Sequence, residues 1–303
     1  MTVSSEGDPV VIAVYVNDII LACKSDKKRL GVHNFLERQY KLKDLGVLEY
    51  FLGVKVVQDD IQGQIWIGQP TYTQNVLLKF GMNKCKSIET PVDPSQKLCK
   101  ATDKCTLCDQ ALYQSAVGCL LYLSVKTRPD ITFAVHNVAK YSAKPTIQHW
   151  KAVKRIFRYL KGTENFGIMY KDEGPSGFIG YSDADWGGDI DNRRSTSGYS
   201  FHLCGGVVSY SSRKQSCVAL STAEAEYMAL ASATQEAVWL RKLATDLHLD
   251  TKGPMLIYED NQATIVMSKD PQYHGRSKHI DIKFHYVRDQ CNDNVIQLKY
   301  VER

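Results

Sequence analysis

The chain has 303 residues, a hydrophobic content of 44% and a formal net charge of +5 at pH 7. This composition is ordinary for a soluble globular protein long enough for two domains, and its mild basicity permits an anionic partner without requiring one. Nine cysteines without a repeating spacing argue against a disulfide framework, and no apolar run in the sequence is long enough to span a bilayer. We therefore expect a soluble, intracellular protein with reduced thiols.

The first part of the chain alternates apolar runs with turn residues and with helical spacing. Asp26 stands where a helix cap is expected, and Leu30, Phe35 and Leu36 follow on the expected inner side of that helix. The elements predicted here are a hairpin over 10–22, a helix over 26–40, strands near 50–57 and 64–68, and a helix from Pro70.

A polar stretch over 84–110 is expected to be a flexible connection to a helical region. Three helices are predicted there, over 111–125, 130–141 and 147–161. The third helix has one apolar face, and its other face is basic, with Lys151, Lys154, Arg155 and Arg158. This basic face is either the solvated side of a packed helix or a surface that follows a nucleic-acid duplex.

The rest of the chain predicts a mixed sheet with helices packed on it, an α/β (α+β) arrangement. Strands are predicted over 179–186, 198–203, 207–211, 255–260 and 295–301, and helices over 223–248, 262–268 and 280–289. The pattern as a whole divides the chain into domains 1–83, 84–163 and 164–303.

Three carboxylates occupy the ends of these predicted elements. Asp183 and Asp260 each close an apolar strand, and Glu226 lies in the first turns of a helix. Ser221 and Glu224 are the expected capping pair of that helix, which leaves Glu226 on its flank. Adjacent parallel strands would bring both aspartates to one sheet edge. Such close like charges call for cations, and Mg²⁺ bound there would activate water for phosphodiester hydrolysis.

Several motifs make the chain similar to one family. Tyr15–Asp18, within its hairpin, resembles the Tyr-X-Asp-Asp turn of reverse transcriptases, and Arg158–Thr163 resembles the segment that joins the polymerase to ribonuclease H. The other motifs resemble the ribonuclease H domain of copia-type LTR retrotransposons: Tyr181–Trp186, Ser221–Tyr227, Glu259–Gln262 and Lys278–Asp281. Together these matches cover nearly the whole chain.

The resemblance implies a ribonuclease-H-like fold over 164–303, after part of a reverse-transcriptase palm (1–83) and a helical thumb or connection (84–163). It implies hydrolysis of RNA in RNA–DNA hybrids at a two-metal Mg²⁺ site in which Mn²⁺ can substitute. The implied partners are an RNA–DNA hybrid or another duplex and the remainder of a Pol polyprotein. The implied location is the cytoplasm, in the virus-like particle of an active element, or the nucleus.

Specific residues match the family's functional positions. Asp183, Glu226 and Asp260 match its catalytic, metal-binding carboxylates, and Asp185 is the rival for the first position. Other polar side chains are candidate contacts to nucleic acid, with a plain surface role as an equal alternative. Those for 2′-hydroxyls are Ser182, Asn261 and Gln262, and those for phosphates are Arg193, Arg194, Arg213 and Lys214.

Two departures from the family pattern bear on activity. Asn17 stands between Tyr15 and Asp18 where the polymerase turn has its first aspartate, and an amide is a poorer Mg²⁺ ligand than a carboxylate. In the family, a helix after the last strand carries a fourth ribonuclease H carboxylate, and the sequence stops at Arg303, directly after that predicted strand. His279 or Asp281 is therefore the candidate substitute for the fourth ligand. We expect ribonuclease H activity weakened at one metal position, and no DNA synthesis by this chain alone.

Two alternatives stay open. In the first, the chain is a catalytically dead remnant, decayed or co-opted, that still binds nucleic acid. In the second, it is a slice of a complete RNA-directed DNA polymerase. The first alternative predicts salt-dependent duplex binding that survives loss of Asp183 and weakens when Lys154, Arg155 and Arg158 become alanine.

Overall fold

The structure is a computed structural model that describes residues 2–3, 9–171, 177–249, 253–269 and 278–302, with the backbone alone at 2–3, 278–282 and 284. Contacts group the chain into two compact units. The first unit comprises residues 1–49 and 238–252, and the second comprises residues 50–237 and 253–303. No helix within the described ranges is both long enough and apolar enough to cross a membrane.

The first unit contains a small antiparallel sheet and a helix. Its elements are β1 (Thr2–Val3), β2 (Val10–Tyr15), β3 (Asp18–Ala22) and α1 (Asp26–Gln39). The predicted hairpin is confirmed, because β2 and β3 pair antiparallel. The N-cap of α1 is Ser25 and not Asp26, so the prediction was wrong by one residue. Ser25 has extended backbone angles, and its hydroxyl accepts a hydrogen bond from the Lys28 amide. The expected inner side of α1 is also wrong, because Leu30 and Phe35 are exposed.

In the second unit, one sheet joins segments that are far apart in sequence. It has the order β4-β5-β6-β7 and is antiparallel throughout. The strands are β4 (Tyr50–Phe51), β5 (Val54–Asp59), β6 (Gln64–Gly68) and β7 (Gly167–Lys171), and α2 (Pro70–Lys79) follows β6. Strand β7 was not predicted. It pairs with β6, with Trp66 opposite Met169.

The helical region encloses the main hydrophobic core of the second unit. Its elements are α3 (Gln110–Lys126), a short 3-10 helix (Pro129–Ile131), α4 (Thr132–Ala139) and α5 (Ile147–Gly162). Tyr113, Leu120 and Phe157 are fully buried between these helices. The predicted connection before α3 has no helix or strand, but the Tyr141 hydroxyl donates to the Leu98 carbonyl and holds it against the helices.

The last part of the chain forms a five-stranded mixed sheet, as predicted. Its order is β10-β9-β8-β11-β12; β8, β9 and β10 are antiparallel, and β11 runs parallel to both β8 and β12. The strands are β8 (Ile179–Ala184), β9 (Thr196–Leu203), β10 (Gly206–Lys214), β11 (Met255–Glu259) and β12 (Ile296–Tyr300). The helices are α6 (Thr222–Asp246), α7 (Gln262–Lys269) and α8 (Lys278–Asn292).

The two faces of this sheet have different surroundings. On one face, Tyr199 and Ser209 both donate hydrogen bonds to Glu236 of α6. Side chains alternate across a strand, so the neighbours of these residues point to the opposite face. There the Tyr210 hydroxyl donates to the Ser124 carbonyl of α3, while Tyr181 remains 41% exposed. The second face is therefore covered at β10 and accessible at β8.

Candidate metal centre

Three separate elements bring three carboxylates together. Asp183 is the penultimate residue of β8, Asp260 directly follows β11, and Glu226 lies near the start of α6. Strands β8 and β11 are parallel neighbours, and their register pairs Ser182 with Glu259, so the two aspartates emerge side by side. One carboxylate oxygen from each member of this trio lies within 4.8 Å of the others. The predicted convergence at one sheet edge is what the structure shows.

Local hydrogen bonds fix the start of α6. The Ser221 hydroxyl accepts from the Glu224 amide at 3.2 Å, and the Glu224 carboxylate accepts from the Leu220 amide at 2.6 Å. This is the predicted reciprocal cap, with its return bond displaced by one residue. The Thr264 hydroxyl of α7 donates to the Ala223 carbonyl, which ties the two helix starts together. These bonds hold the first turns of α6 against the sheet edge.

Glu226 joins the two aspartates, as expected, but its burial was not predicted. It is only 5% exposed, whereas Asp183 is exposed and Asp260 is intermediate. Small side chains explain the difference, because Ala225 and Ala229 pack in one cluster with Ala184 of β8. Alanine side chains let the helix approach the strand closely, and the Glu226 carboxylate is carried inward with it.

A fourth acidic residue lies directly beside the trio. Glu259 is fully buried. Burial, together with the charges of Glu226 and Asp260, raises the pKa of its carboxyl to about 9. The surroundings of the trio therefore disfavour additional negative charge and would be relieved by a cation. Carboxylate oxygens at this spacing suit hard divalent cations, so the side chains present fit Mg²⁺ or Mn²⁺.

Asp185, the rival for the first position, lies outside the trio. Its carboxylate accepts from the Thr196 amide, and its own amide donates to the Thr196 carbonyl at 3.1 Å. These bonds join the end of β8 to the start of β9. Asp185 is thus used in local structure.

The three residues predicted to contact 2′-hydroxyls of RNA have different environments. The Asn261 side-chain oxygen accepts from the Thr264 amide at 3.1 Å, so that atom caps α7. Gln262 is the exposed first residue of α7. Ser182 is 5% exposed and is the register partner of Glu259. Gln262 is therefore the accessible side chain of the three.

The basic face of α5 is partly engaged inside the chain. Arg155 donates to the Thr90 carbonyl and hydroxyl, and Arg158 donates to the Lys86 carbonyl at 2.8 Å. Lys151 and Lys154 are exposed. The structure thus gives two of the four residues a role in holding the preceding loop and leaves two lysines facing solvent.

The other candidate phosphate contacts lie around the β8–β9 turn and on β10. Arg193 has a left-handed backbone, with φ of 58°, and the Arg194 amide donates to the Asn192 side chain. Arg213 is exposed, and Lys214 contacts Asp189 at 2.5 Å. Asp189 was missed in the sequence, where it is one of several acidic residues in a polar turn.

The polymerase-like turn forms the tip of the β2–β3 hairpin. Tyr15 ends β2 and is 54% exposed, Val16 and Asn17 form the turn, and Asp18 begins β3. Asp18 does not belong to the cluster of potential metal ligands found among the described residues, which consists of the trio. The side chains of His279 and Asp281 lie outside the described residues, so their proposed metal role stays a prediction.

Comparison with known proteins relates nearly the whole chain to the Pol polyproteins of transposons. A family model described as reverse transcriptase (RNA-dependent DNA polymerase) matches residues 2–94. The chain is 37% identical over 299 residues to the retrovirus-related Pol polyprotein from transposon TNT 1-94 of Nicotiana tabacum, covering 97% of this chain and 22% of that protein. It is 32% identical to the putative transposon Ty5-1 protein of Saccharomyces cerevisiae, covering 77% of this chain and 75% of that protein.

Solved structures show the same fold at low identity. The foamy viral protease-reverse transcriptase in complex with double-stranded DNA gives a TM-score of 0.52 at 12% identity, covering 96% of this chain and 46% of that chain. The same protein in complex with an RNA/DNA hybrid gives 0.51 at 14% identity, covering 96% and 35%. The chain spans about a fifth of the length of the curated Pol polyproteins it matches. It belongs to the Pol family of copia-type retrotransposons, as a Pol segment with reverse-transcriptase sequence and a ribonuclease-H-like fold.

Proposed function

We propose that this chain hydrolyses the RNA strand of RNA–DNA hybrids, with Asp183, Glu226 and Asp260 as ligands of two divalent cations. The observation that carries the proposal is the approach of three carboxylate oxygens within 4.8 Å from three independent elements. Mg²⁺ or Mn²⁺ bound there supplies an activated water and a stabilised leaving oxygen.

The differing burial of the three carboxylates gives them different parts in this proposal. Glu226 is fixed by packing, so it sets the inner boundary of the site. Asp183 is exposed at the sheet edge, where a phosphodiester approaching from solvent would arrive. Asp260 lies between them in exposure and follows a strand paired on both sides, which limits its movement. A rigid inner ligand and an accessible outer one are what a cation bridging protein and substrate requires.

The choice of hybrid as substrate is supported by the family and by accessible side chains. Gln262 is exposed at the start of α7, directly after Asp260 and Asn261, and its amide could bond a 2′-hydroxyl near the trio. The related foamy viral enzyme was solved with both a hybrid and double-stranded DNA. A 2′-hydroxyl contact is the feature that would favour the hybrid.

The experiment compares substrates and aspartate variants. The purified chain is incubated with a labelled RNA–DNA hybrid, the matching double-stranded DNA and double-stranded RNA, in Mg²⁺, in Mn²⁺ and in EDTA. We expect RNA cleavage in the hybrid alone, dependent on the cation and lost in Asp183→Asn and Asp260→Asn. Asp185→Asn is the matched control and should retain activity, because an amide oxygen can still accept from Thr196. An intact hybrid in both cations would contradict the proposal.

The second candidate function is nucleic-acid binding without cleavage. It is favoured by Lys151 and Lys154, which are exposed on the basic face of α5. This function predicts duplex binding that survives Asp183→Asn, weakens with added salt and falls when both lysines become alanine. If cleavage is absent and this double variant binds as tightly as the wild type, this candidate fails as well.

A further inference from the structure

An apolar pocket lies between the loop that precedes α3 and the helices α4 and α5. It has a volume of about 370 Å³. Val138 of α4 and Ile156 of α5, which belong to the main hydrophobic core, form part of its lining. The loop adds further apolar side chains, which are Met82, Pro91, Val92 and Leu98. Packed interiors keep few voids larger than a water molecule, and pockets of about 300–1,000 Å³ are typical of small-molecule sites.

Hydrogen bonds hold the loop at both ends of the segment that lines the pocket. Before this segment, Arg158 of α5 donates to the Lys86 carbonyl at 2.8 Å. At its other end, the Tyr141 hydroxyl donates to the Leu98 carbonyl at 3.0 Å. The loop is thus fixed to the helices on either side of residues 91–96. A pocket whose walls are already held in place loses less conformational entropy when it binds a ligand.

The charged residues of the pocket are mostly basic. Four cations of α5 line it, and they face one carboxylate, that of Asp93, so the charge of the lining is +4 − 1 = +3. Asp93 contacts Arg155 at 3.5 Å. Arg158 donates to a backbone carbonyl, which does not neutralise its charge. The other two cations, Lys151 and Lys154, are exposed at the mouth. The pocket therefore favours an anion.

The combination of apolar walls and a basic mouth decides the class of ligand. A nucleic-acid backbone would satisfy the cations, but its phosphates and sugars are polar and do not suit apolar walls. A neutral apolar molecule would fill the pocket and leave the cations without a partner. An aliphatic chain that ends in a carboxylate uses both features.

We propose that this pocket binds a small amphipathic carboxylate as a free molecule. The chain lies against Val138 and Ile156, and the carboxylate lies at the mouth beside Lys151 and Lys154. Each methylene group that is buried raises the affinity about fourfold. Each exposed ion pair adds up to about fivefold. The site shares no residue with the trio, so the inference stands or falls separately from the proposed nuclease.

The first test compares ligands on the wild type. The full chain is titrated calorimetrically in EDTA with hexanoate, octanoate and decanoate, and with 1-octanol as the neutral match of octanoate. We expect a gain of about fifteenfold for every two methylene groups until the pocket is full, and weaker binding of 1-octanol than of octanoate. Absence of binding, equal affinities along the series, or equal affinities for octanoate and 1-octanol would each overturn the proposal.

The second test removes the charge at the mouth. In the double variant Lys151→Ala, Lys154→Ala, octanoate should bind more weakly, by up to about fivefold for each lysine, while 1-octanol should bind as before. The matched control is Lys104→Ala, Lys126→Ala, which removes two exposed lysines that do not line the pocket. Equal losses of octanoate binding in the two double variants would overturn the proposal. All four side chains are exposed, so these variants should fold.

The third test fills the pocket. Ala152 of α5 contributes to the lining, and leucine is a good helix former, so Ala152→Leu places a larger apolar group in the pocket. We expect octanoate binding to fall more than tenfold, whereas Ala111→Leu, on the exposed side of α3, should bind octanoate like the wild type. Unchanged binding in a folded Ala152→Leu would overturn the proposal.

Hydrogen exchange locates the ligand without any variant. Saturating octanoate should slow the exchange of backbone amides within residues 92–98 of the wild type, because the ligand ties this loop to the helices. Protection confined to other parts of the chain would overturn the proposal. Octanoate that does not bind, together with duplex binding that is lost in Lys151→Ala, Lys154→Ala, would assign the basic face to nucleic acid and overturn it as well.

Discussion

Replacing Glu259 by glutamine should stabilise the protein at neutral pH. Glu259 is fully buried, and its pKa is raised from 4.5 to about 9 by burial and by the charges of Glu226 and Asp260. Between these two values the folded state retains a proton that the unfolded state releases. The wild type therefore has its full stability below pH 4.5 and loses it progressively until the pH passes about 9.

The magnitude follows from the size of the shift. Each pH unit above the unfolded pKa costs about 1.4 kcal/mol, so the cost at pH 7 is about 3 kcal/mol. Glutamine has a similar shape and no proton to lose. Glu259→Gln should therefore exceed the wild type by about 3 kcal/mol at pH 7 and match it near pH 4.

The assay is urea unfolding in EDTA across pH 4 to 9, followed by circular dichroism. The gap between the two proteins should widen as pH rises, and adding Mg²⁺ should narrow it, because a cation at the trio offsets the charge facing Glu259. A constant gap across this pH range would refute the reasoning.

Two further substitutions test the helical region. Arg128 is 2% exposed and donates hydrogen bonds to Asp130 and Thr163. Arg128→Leu should lower the free energy of unfolding by about 3–5 kcal/mol, because the Asp130 charge loses its partner. In the same urea titration, Arg29→Leu at an exposed ion pair should lower it by less than about 1 kcal/mol. Leu120→Ala, at a fully buried site, should lower the free energy of unfolding by about 2–5 kcal/mol, whereas Leu112→Ala on the exposed side of α3 should change it little; similar losses for both would contradict the assigned core.

The sequence predicted the five-stranded sheet and the convergence of the trio because the relevant signals are local. Apolar runs that end in an aspartate mark the ends of β8 and β11, and the Ser221–Glu224 pair marks the start of α6. Once the strands are parallel neighbours, their carboxyl ends must meet at one edge. The prediction assumed that the two strands are parallel neighbours, and the register of β8 and β11 meets that condition.

Features that depend on distant partners were not predictable in this way. Strand β7 exists because residues 167–171 pair with β6, about a hundred residues earlier, and its own sequence carries no clear alternation. The role of Asp189 depends on Lys140, which directly follows α4, and on Lys214 of β10. The burial of Glu226 was not predicted, because helical spacing does not report how closely alanines let the helix approach a strand.

The most direct test of the central claim is the rate of RNA cleavage in a hybrid as a function of Mg²⁺ concentration, for the wild type and for Glu226→Gln. Glu226 is buried among the ligands, so its loss should remove cleavage at Mg²⁺ concentrations that saturate the wild type. Cleavage by the wild type that rises with Mg²⁺ and is lost in the variant is the predicted result. Equal rates in the two proteins, or a wild type inactive at every Mg²⁺ concentration, would contradict the account.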